Sequence, residues 1–319
     1  MMKRLSSKQV TLLVLLVLIA LAPLFFPSSY YLRIGSLVFV NSLSVISIVI
    51  LTGYVGQISL GHAGFIGIGA YACALAPVHF NVSVLTASVL GAVVSGVVAW
   101  VVGRPILRLR GYYLSVATLG FGMLIFMVLN NEAWLTGGPD GMVVADPGIR
   151  ALLKSWGISL SNAEFWYAFN GFFLLIGVWM ALNLKHSATG RALHALHGSE
   201  IAARTVGIDV ARFKLRGFVI SAVYASVAGS LLAMQNRFVT PDVAGFMHSV
   251  EIVTMAVLGG AASVVGAILG ATLLTALPQI LTFLQEYEQI VLGLIMMLVM
   301  IFLRGGVLPS LVRMVRGRG

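Results

Sequence analysis

Runs of about 20 consecutive apolar residues follow one another along most of this chain, and that pattern excludes nearly every fold except a helical membrane bundle. Inside a bilayer no water is available to the backbone, so a spanning segment must satisfy its own hydrogen bonds, and an α-helix does so within one segment. The runs are Val10–Phe26, Ile34–Thr52, Ile58–Pro77, Val84–Gly103, Tyr113–Asn130, Phe165–Leu184, Gly217–Gln235, Gly245–Gly259, Val264–Phe283 and Gln289–Leu303. They predict an all-α, polytopic bundle of about ten transmembrane helices forming a single domain over residues 1–319. Gly260–Ser263 is read as a turn between two crossings rather than a pause in one tilted helix, because an even count returns the C-terminus to the side of the N-terminus and both ends are basic. The first run continues past the Ala20-Leu21-Ala22 triplet to Phe26, so it is read as a span and not as a cleaved signal.

Charge orients the bundle. With the N-terminus inside, Lys3, Arg4, Lys8, Arg104, Arg108, Arg110, Lys185, Arg191, Arg204, Arg212, Lys214, Arg216, Arg304, Arg313, Arg316 and Arg318 fall on the cytoplasmic side, which is 16 of the 20 basic residues. Arg33, Arg150, Lys154 and Arg237 are left outside, along with most of the acids, including Asp140, Asp146, Glu286 and Glu288. The expected protein is therefore a multi-pass inner-membrane protein with both termini cytoplasmic, an outer loop over 131–164 and an inner loop over 185–216. A net charge of +10 raises the question of nucleic acid, but these cations sit between membrane spans rather than on a soluble surface. The single Cys73 lies inside a span, where it forms no disulfide framework and reads as a small buried residue.

Residues for chemistry are sparse. None of the five lysines follows a glycine, so there is no P-loop and no ATP site of that kind. His194 and His197 lack cysteine or carboxylate partners at metal spacing, so no metal site is expected, and no G-x-S-x-G elbow offers a nucleophile. The intramembrane candidates for ionisable chemistry are His62 and Glu251, both isolated in sequence.

Two segments stand out. Lys185–Arg216 is a polar, basic island in which Ser199 caps a second short helix, Glu200 sits where the helix dipole favours an acid, and Gly207 offers a left-handed stop. Read as a helix from Arg191, it places Ala192, Ala195, Leu196, Ala202, Ala203 and Val206 on one narrow apolar face, with His194, His197 and Arg204 opposite. Such a face suits either a docking surface for a soluble partner or an ordinary solvated helix. Thr52–Tyr71 carries Gly53, Gly56, Gly61, Gly64, Gly67 and Gly69, too dense for a straight helix, and it brings Gln57, Ser59 and His62 to membrane depth. One reading is a helix broken near 53–69 beside a translocation path; the other is that the polar groups bond across helices to hold the bundle.

The segments GYVGQISLGHAGFIGIGAY, RLRGYYLSVATLGFGMLIFMVLNN with LTGGPDGM, GRALHALHGSEIAARTVGIDVARFKLRGFVISA and VLGGAASVVGAILGA occur here in the order found in M-type (LivM-type) permeases of bacterial branched-chain amino acid ABC importers. The chain resembles that family over about Asn41–Pro278. The resemblance implies a permease subunit that binds no cofactor itself and pairs with a second, H-type permease, two ATP-binding subunits that use ATP and Mg, and a periplasmic solute-binding protein. It implies that Gly190–Arg216 is the ATPase-coupling loop, with Arg191, Glu200, Ala202, Ala203 and Gly207 in it; the candidates for the translocation path, Gly53, Gln57, Ser59, Gly61 and His62, rest on the broken-helix reading of Thr52–Tyr71. The family also includes importers of urea, amides and other small organic acids. The competing reading is an ion-coupled secondary transporter, which also uses broken helices but needs a relay of ionisable groups within the membrane.

Overall fold

The computed structural model describes residues 7–25, 28–157 and 159–280, with positions 290, 293, 294, 297 and 306. Over them the chain folds into thirteen α-helices and one two-residue antiparallel ribbon. Helix α1 is Ser7–Phe25, and α2 is Ser29–Ile48, prolonged as a π-helix over Val49–Val55. Then come α3 Ala63–Phe80, α4 Val84–Ile106 and α5 Tyr112–Asn131. The outer loop holds α6 Ala133–Thr136, β1 Met142–Val143 and α7 Ile149–Ser155. Next are α8 Asn162–His186, α9 Ala188–Gly198, α10 Glu200–Thr205 and α11 Val210–Asn236. After β2 Phe238–Val239 come α12 Phe246–Gly259 and α13 Val264–Ile280.

Seven of these helices are long and apolar enough to cross a membrane, and α12 and α13 are shorter apolar helices. They pack as the expected hairpin: a Cβ at Gly259 would overlap Gly266, and one at Gly270 would overlap the carbonyl oxygen of Met255. The expected span Gln289–Leu303, the end of the Val264–Phe283 run, and the charges at Lys3, Arg4, Glu286, Glu288, Arg304, Arg313, Arg316 and Arg318 fall outside the described residues, scattered positions apart.

Contacts between distant segments agree on which ends share a side. Lys8 Nζ donates to Asn183 Oδ1 at 3.5 Å, and Tyr30 Oη donates to the Gln279 carbonyl at 2.8 Å. Arg237 pairs with Asp146 beside the β1–β2 ribbon, so the two loops expected outside meet there, and Glu200 pairs with Lys214 on the opposite side.

Helices α2, α3, α4 and α11 form the centre. In α4 the buried stripe is almost entirely small: Ala87, Gly91, Ser95, Gly96, Ala99 and Gly103. These positions let α3 and α11 approach its backbone, the usual means of helix association where lipid offers no hydrophobic driving force. Helices α2 and α11 cross the bundle antiparallel and share a polar seam. Ser36 Oγ donates to Gln235 Oε1 at 3.0 Å near one end, and Ser221 Oγ donates to the Ser47 carbonyl at 2.5 Å near the other. Start signals are explicit: Ser161 and Glu164 form a reciprocal capping box at α8, and Ser187, Ser199 and Asp209 cap α9, α10 and α11.

Candidate translocation and coupling site

The helix is interrupted within the stretch where glycine density predicts a break, but only over 56–62. The π-helical end of α2 stops at Gly56, whose φ of 78° is costly for any residue with a Cβ. The N–H groups of Gly56 and Gln57 both turn back to the Leu51 carbonyl. The chain is then irregular until α3 begins at Ala63, so the helix expected from Ile58 starts five residues later. Gly64, Gly67 and Gly69 lie within regular helix and serve close packing instead. A Cβ at Gly69 would overlap the Ser226 carbonyl on α11.

Irregular backbone at membrane depth must find partners in protein or water, and here protein supplies several. Leu60 N–H donates to Thr118 Oγ1 at 3.2 Å, Ser115 Oγ donates to the Ile58 carbonyl at 3.3 Å, and Ala63 N–H donates to Ser249 Oγ at 3.0 Å. Gly61 lies flat against α5: a Cβ there would overlap the Thr118 carbonyl, and one at Gly122 would come within 2.6 Å of Gly61 Cα. Gly53 abuts the turn between α12 and α13 in the same way, against Ala261 and Ala262.

The side chains of this segment carry unspent polar capacity. Ser221 gives its only hydrogen to Ser47, so in the 2.9 Å contact His62 Nε2 donates to Ser221 Oγ. His62 Nδ1, both amide atoms of Gln57 and Tyr54 Oη are buried without a hydrogen-bond partner among the described residues. Each such group costs roughly 1–3 kcal/mol. Ser59 is buried beside them.

The basic island folds as two helices, the second capped by Ser199 as expected. Ser199, at φ −163° and ψ 117°, breaks the path between α9 and α10, and its side chain accepts from Ala202 N–H. Gly207 closes α10 at φ 80° in open surroundings. Two expectations for this loop are corrected. Ala203 is only 2% exposed and packs inward with Leu193 and Leu196, whereas Ala202, Ile201 at 79% and Val206 at 73% face outward. The expected apolar face is thus split by the turn at Ser199. Arg191 caps its own chain, donating to the His186 carbonyl at 3.0 Å, and Glu200 ties α10 to the buried Lys214 of α11.

The two segments touch each other. The Tyr54 ring meets the His194 ring edge-on at 5.6 Å, and a Cβ at Gly56 would lie 3.0 Å from His197 Nδ1. Burial, and then the charges of Lys185 and His197, hold the His194 imidazole below its ordinary pKa. Tyr54, Ser221, Lys214 and Ser47 were not among the sequence candidates. Their only signal was polarity inside or beside an apolar run, which does not say which partner each one meets. Glu251 is not isolated, since His248 Nδ1 lies 3.3 Å from its carboxylate one helical turn away. Among the described residues, no three His, Cys, Asp or Glu side chains converge as a metal site would require.

Residues 30–300 match the family described as the permease component of the branched-chain amino acid transport system. The chain is 32% identical to the high-affinity branched-chain amino acid transport system permease protein LivM of Salmonella typhimurium, over 95% of this chain and 76% of that protein. Identity to the LivM protein of Escherichia coli is 31% with the same coverage. It is also 26% identical to the autoinducer 2 import system permease LsrC of Yersinia enterocolitica, over 61% of this chain and 53% of that one. No solved structure matches. A family match spanning most of the chain, on a helical bundle of membrane-crossing length, places this protein in the branched-chain amino acid transport system permease family.

Proposed function

We propose that this permease forms one half of the translocation path of an ATP-driven importer for branched-chain amino acids or a related small polar solute. In this reading a solute-binding protein delivers the cargo at the outer face, an H-type permease supplies the other half of the path, and two ATPases dock on the inner loop 185–216. ATP and Mg are used by those ATPases, and this chain is the lever they move.

The observation that carries the reading is the direct contact of Tyr54 and Gly56 with His194 and His197. Displacement of α9 by a docked ATPase moves the end of α2 and with it the 56–62 segment, where Gln57 and His62 hold unpartnered polar atoms. A solute crossing about 30 Å of hydrocarbon must shed water. The amide of Gln57, Nδ1 of His62 and the polar seam of α2 and α11 replace some of those hydrogen bonds without placing a full charge in the bilayer. Gly53 and Gly61 keep the segment seated against its neighbours. Ser59, between Gln57 and Gly61 in the chain, is buried as well.

Docking is assigned to the outward side of α10. Burying Ile201 against a partner is worth roughly 1.5–3 kcal/mol, and a charge there adds a desolvation cost. Ile201→Glu should cut association of the ATPases by ten- to a hundredfold while the subunit keeps its wild-type thermal stability. The test is co-purification with the ATPases and uptake in reconstituted vesicles. Full uptake by Ile201→Glu at normal protein level overturns the docking assignment. Ala203→Glu, by contrast, should fail in the isolated subunit, because it buries a carboxylate in this chain's own core.

A further inference from the structure

Where α4 meets the short connection to α5, an inner-face cleft of about 610 Å³ opens between that connection and the start of α11. Arg104, Arg108, Arg110 and Arg204 line it, and among the described residues none of the four pairs with a carboxylate. The other two cations in its wall are already matched: Lys214 by Glu200, and Arg212 by Asp209 at 2.9 Å. Four unmatched guanidinium groups facing one cavity repel one another, so the site favours a multivalent anion.

Above the cleft, α4 specifies what carries that anion. Its outward side is a ridge of Val89, Val93, Val97 and Val101 at helical spacing, all exposed, and the same ridge runs on into Arg104 at its inner end, with Arg108 in the turn that follows. Trp100 stands between the two zones with the Arg104 guanidinium stacked 3.6 Å over its ring, and Tyr112 and Tyr113 are exposed at the start of α5. Aromatic side chains of this kind sit at the level of lipid headgroups. A soluble anion has no use for the valine ridge, and a soluble protein does not reach along it into the bilayer. The outward apolar residues of α10, Ile201 and Val206, do not line the cleft.

We propose that this cleft binds the headgroup phosphate of an anionic phospholipid, with Arg104, Arg108, Arg110 and Arg204 on the phosphate and the acyl chains along the valine ridge of α4. Each basic side chain at an anionic membrane surface is worth roughly a fivefold preference.

The test is native mass spectrometry of the full-length chain extracted from vesicles of equal parts phosphatidylglycerol and phosphatidylcholine. Phosphatidylglycerol should be retained at least about tenfold over phosphatidylcholine, and the combined Arg104→Gln, Arg108→Gln and Arg204→Gln variant should lose that preference. The corresponding triple lysine variant should keep most of it. Lys8→Gln, Lys185→Gln and Arg216→Gln together, which remove the same charge elsewhere on that side, should leave it intact. Should the glutamine variant not fold, the wild-type chain still decides: brominated phosphatidylglycerol should quench tryptophan fluorescence more than brominated phosphatidylcholine, through Trp100. Equal retention of the two lipids, equal quenching, or loss of preference in the control variant overturns the proposal. It is also overturned if partner ATPases strip the lipid and the glutamine variant binds them less, since the cleft is then their contact.

Discussion

Gly61 and Gly122 face each other across the seam between the 56–62 segment and α5, and substituting them tests whether that seam is as tight as it looks. Gly61 is not in the left-handed region, so alanine meets no conformational penalty there; the obstacle is space alone. A methyl group at Gly61 would overlap the Thr118 carbonyl, and one at Gly122 would press on Gly61 Cα. Overpacking costs typically 1–3 kcal/mol, and these obstacles are backbone atoms that no rotamer change can move aside, so each single change should cost about 3 kcal/mol. Both substitutions demand the same separation of the segment from α5. Once the first has forced it, the second adds little, so the double variant should cost about 3 and not about 6 kcal/mol, a coupling of about −3 kcal/mol. Gly120, on the same helix with nothing within 4 Å of where a methyl group would stand, is the control. Its replacement by alanine should stabilise by up to about 1 kcal/mol through helix propensity. Stability is read from thermal unfolding of the purified chain, and uptake from reconstituted vesicles. Wild-type stability in Gly61→Ala and Gly122→Ala, or additive losses in the double variant, would refute the close approach.

Three further outcomes are expected. Glu200→Gln leaves Lys214, 7% exposed, without its counter-charge; breaking a fully buried pair costs about 3–5 kcal/mol, and because the Glu200 side chain is 32% exposed the loss should fall to roughly half that, with Lys214→Met restoring most of it in thermal unfolding. Asp146 is held below its ordinary pKa by the Gly148 N–H and by Arg237, so its contribution is present above about pH 4 and fades as pH falls through the lowered value. Asp146→Asn should therefore cost at most about 1 kcal/mol at neutral pH and flatten the acid limb of the stability curve. Single cysteines at 146 and 204 in a Cys73→Ala background should react with an impermeant thiol reagent from opposite sides, with 146 labelled in intact cells; labelling of 204 from outside would reverse the orientation.

Seven spans and the shorter helices α12 and α13 were legible because a bilayer leaves an apolar run little choice but helix, and the turn between α12 and α13 was legible because an even count sets both basic ends on one side. The break near Gln57 was legible only in outline. Glycine density has two causes, backbone that only glycine adopts readily and close helix contact, and composition cannot separate Gly56, whose φ of 78° needs the first, from Gly69, which has the second. The island shows a different limit. Counting helical phase from Arg191 puts Ala202, Ala203 and Val206 on one face, but the extended backbone at Ser199 resets the phase, so Ala203 turns inward while its neighbours stay out. Ser221 meeting His62, and Glu200 meeting Lys214, depend on how helices far apart in sequence are rotated against each other, which no local pattern encodes.

The small-residue stripe of α4 bears on how the bundle responds to cold. Pulling α4 away from α3 and α11 would expose Ala87, Gly91, Gly96 and Ala99 to hydrocarbon and not to water, so the separation carries little of the hydration heat capacity that curves the stability of soluble proteins. Contacts of this kind rest on dispersion between close backbones, which does not fade on cooling as hydrophobic association does. The α3–α4–α11 core should therefore hold together almost evenly across the temperatures at which the surrounding lipid stays fluid.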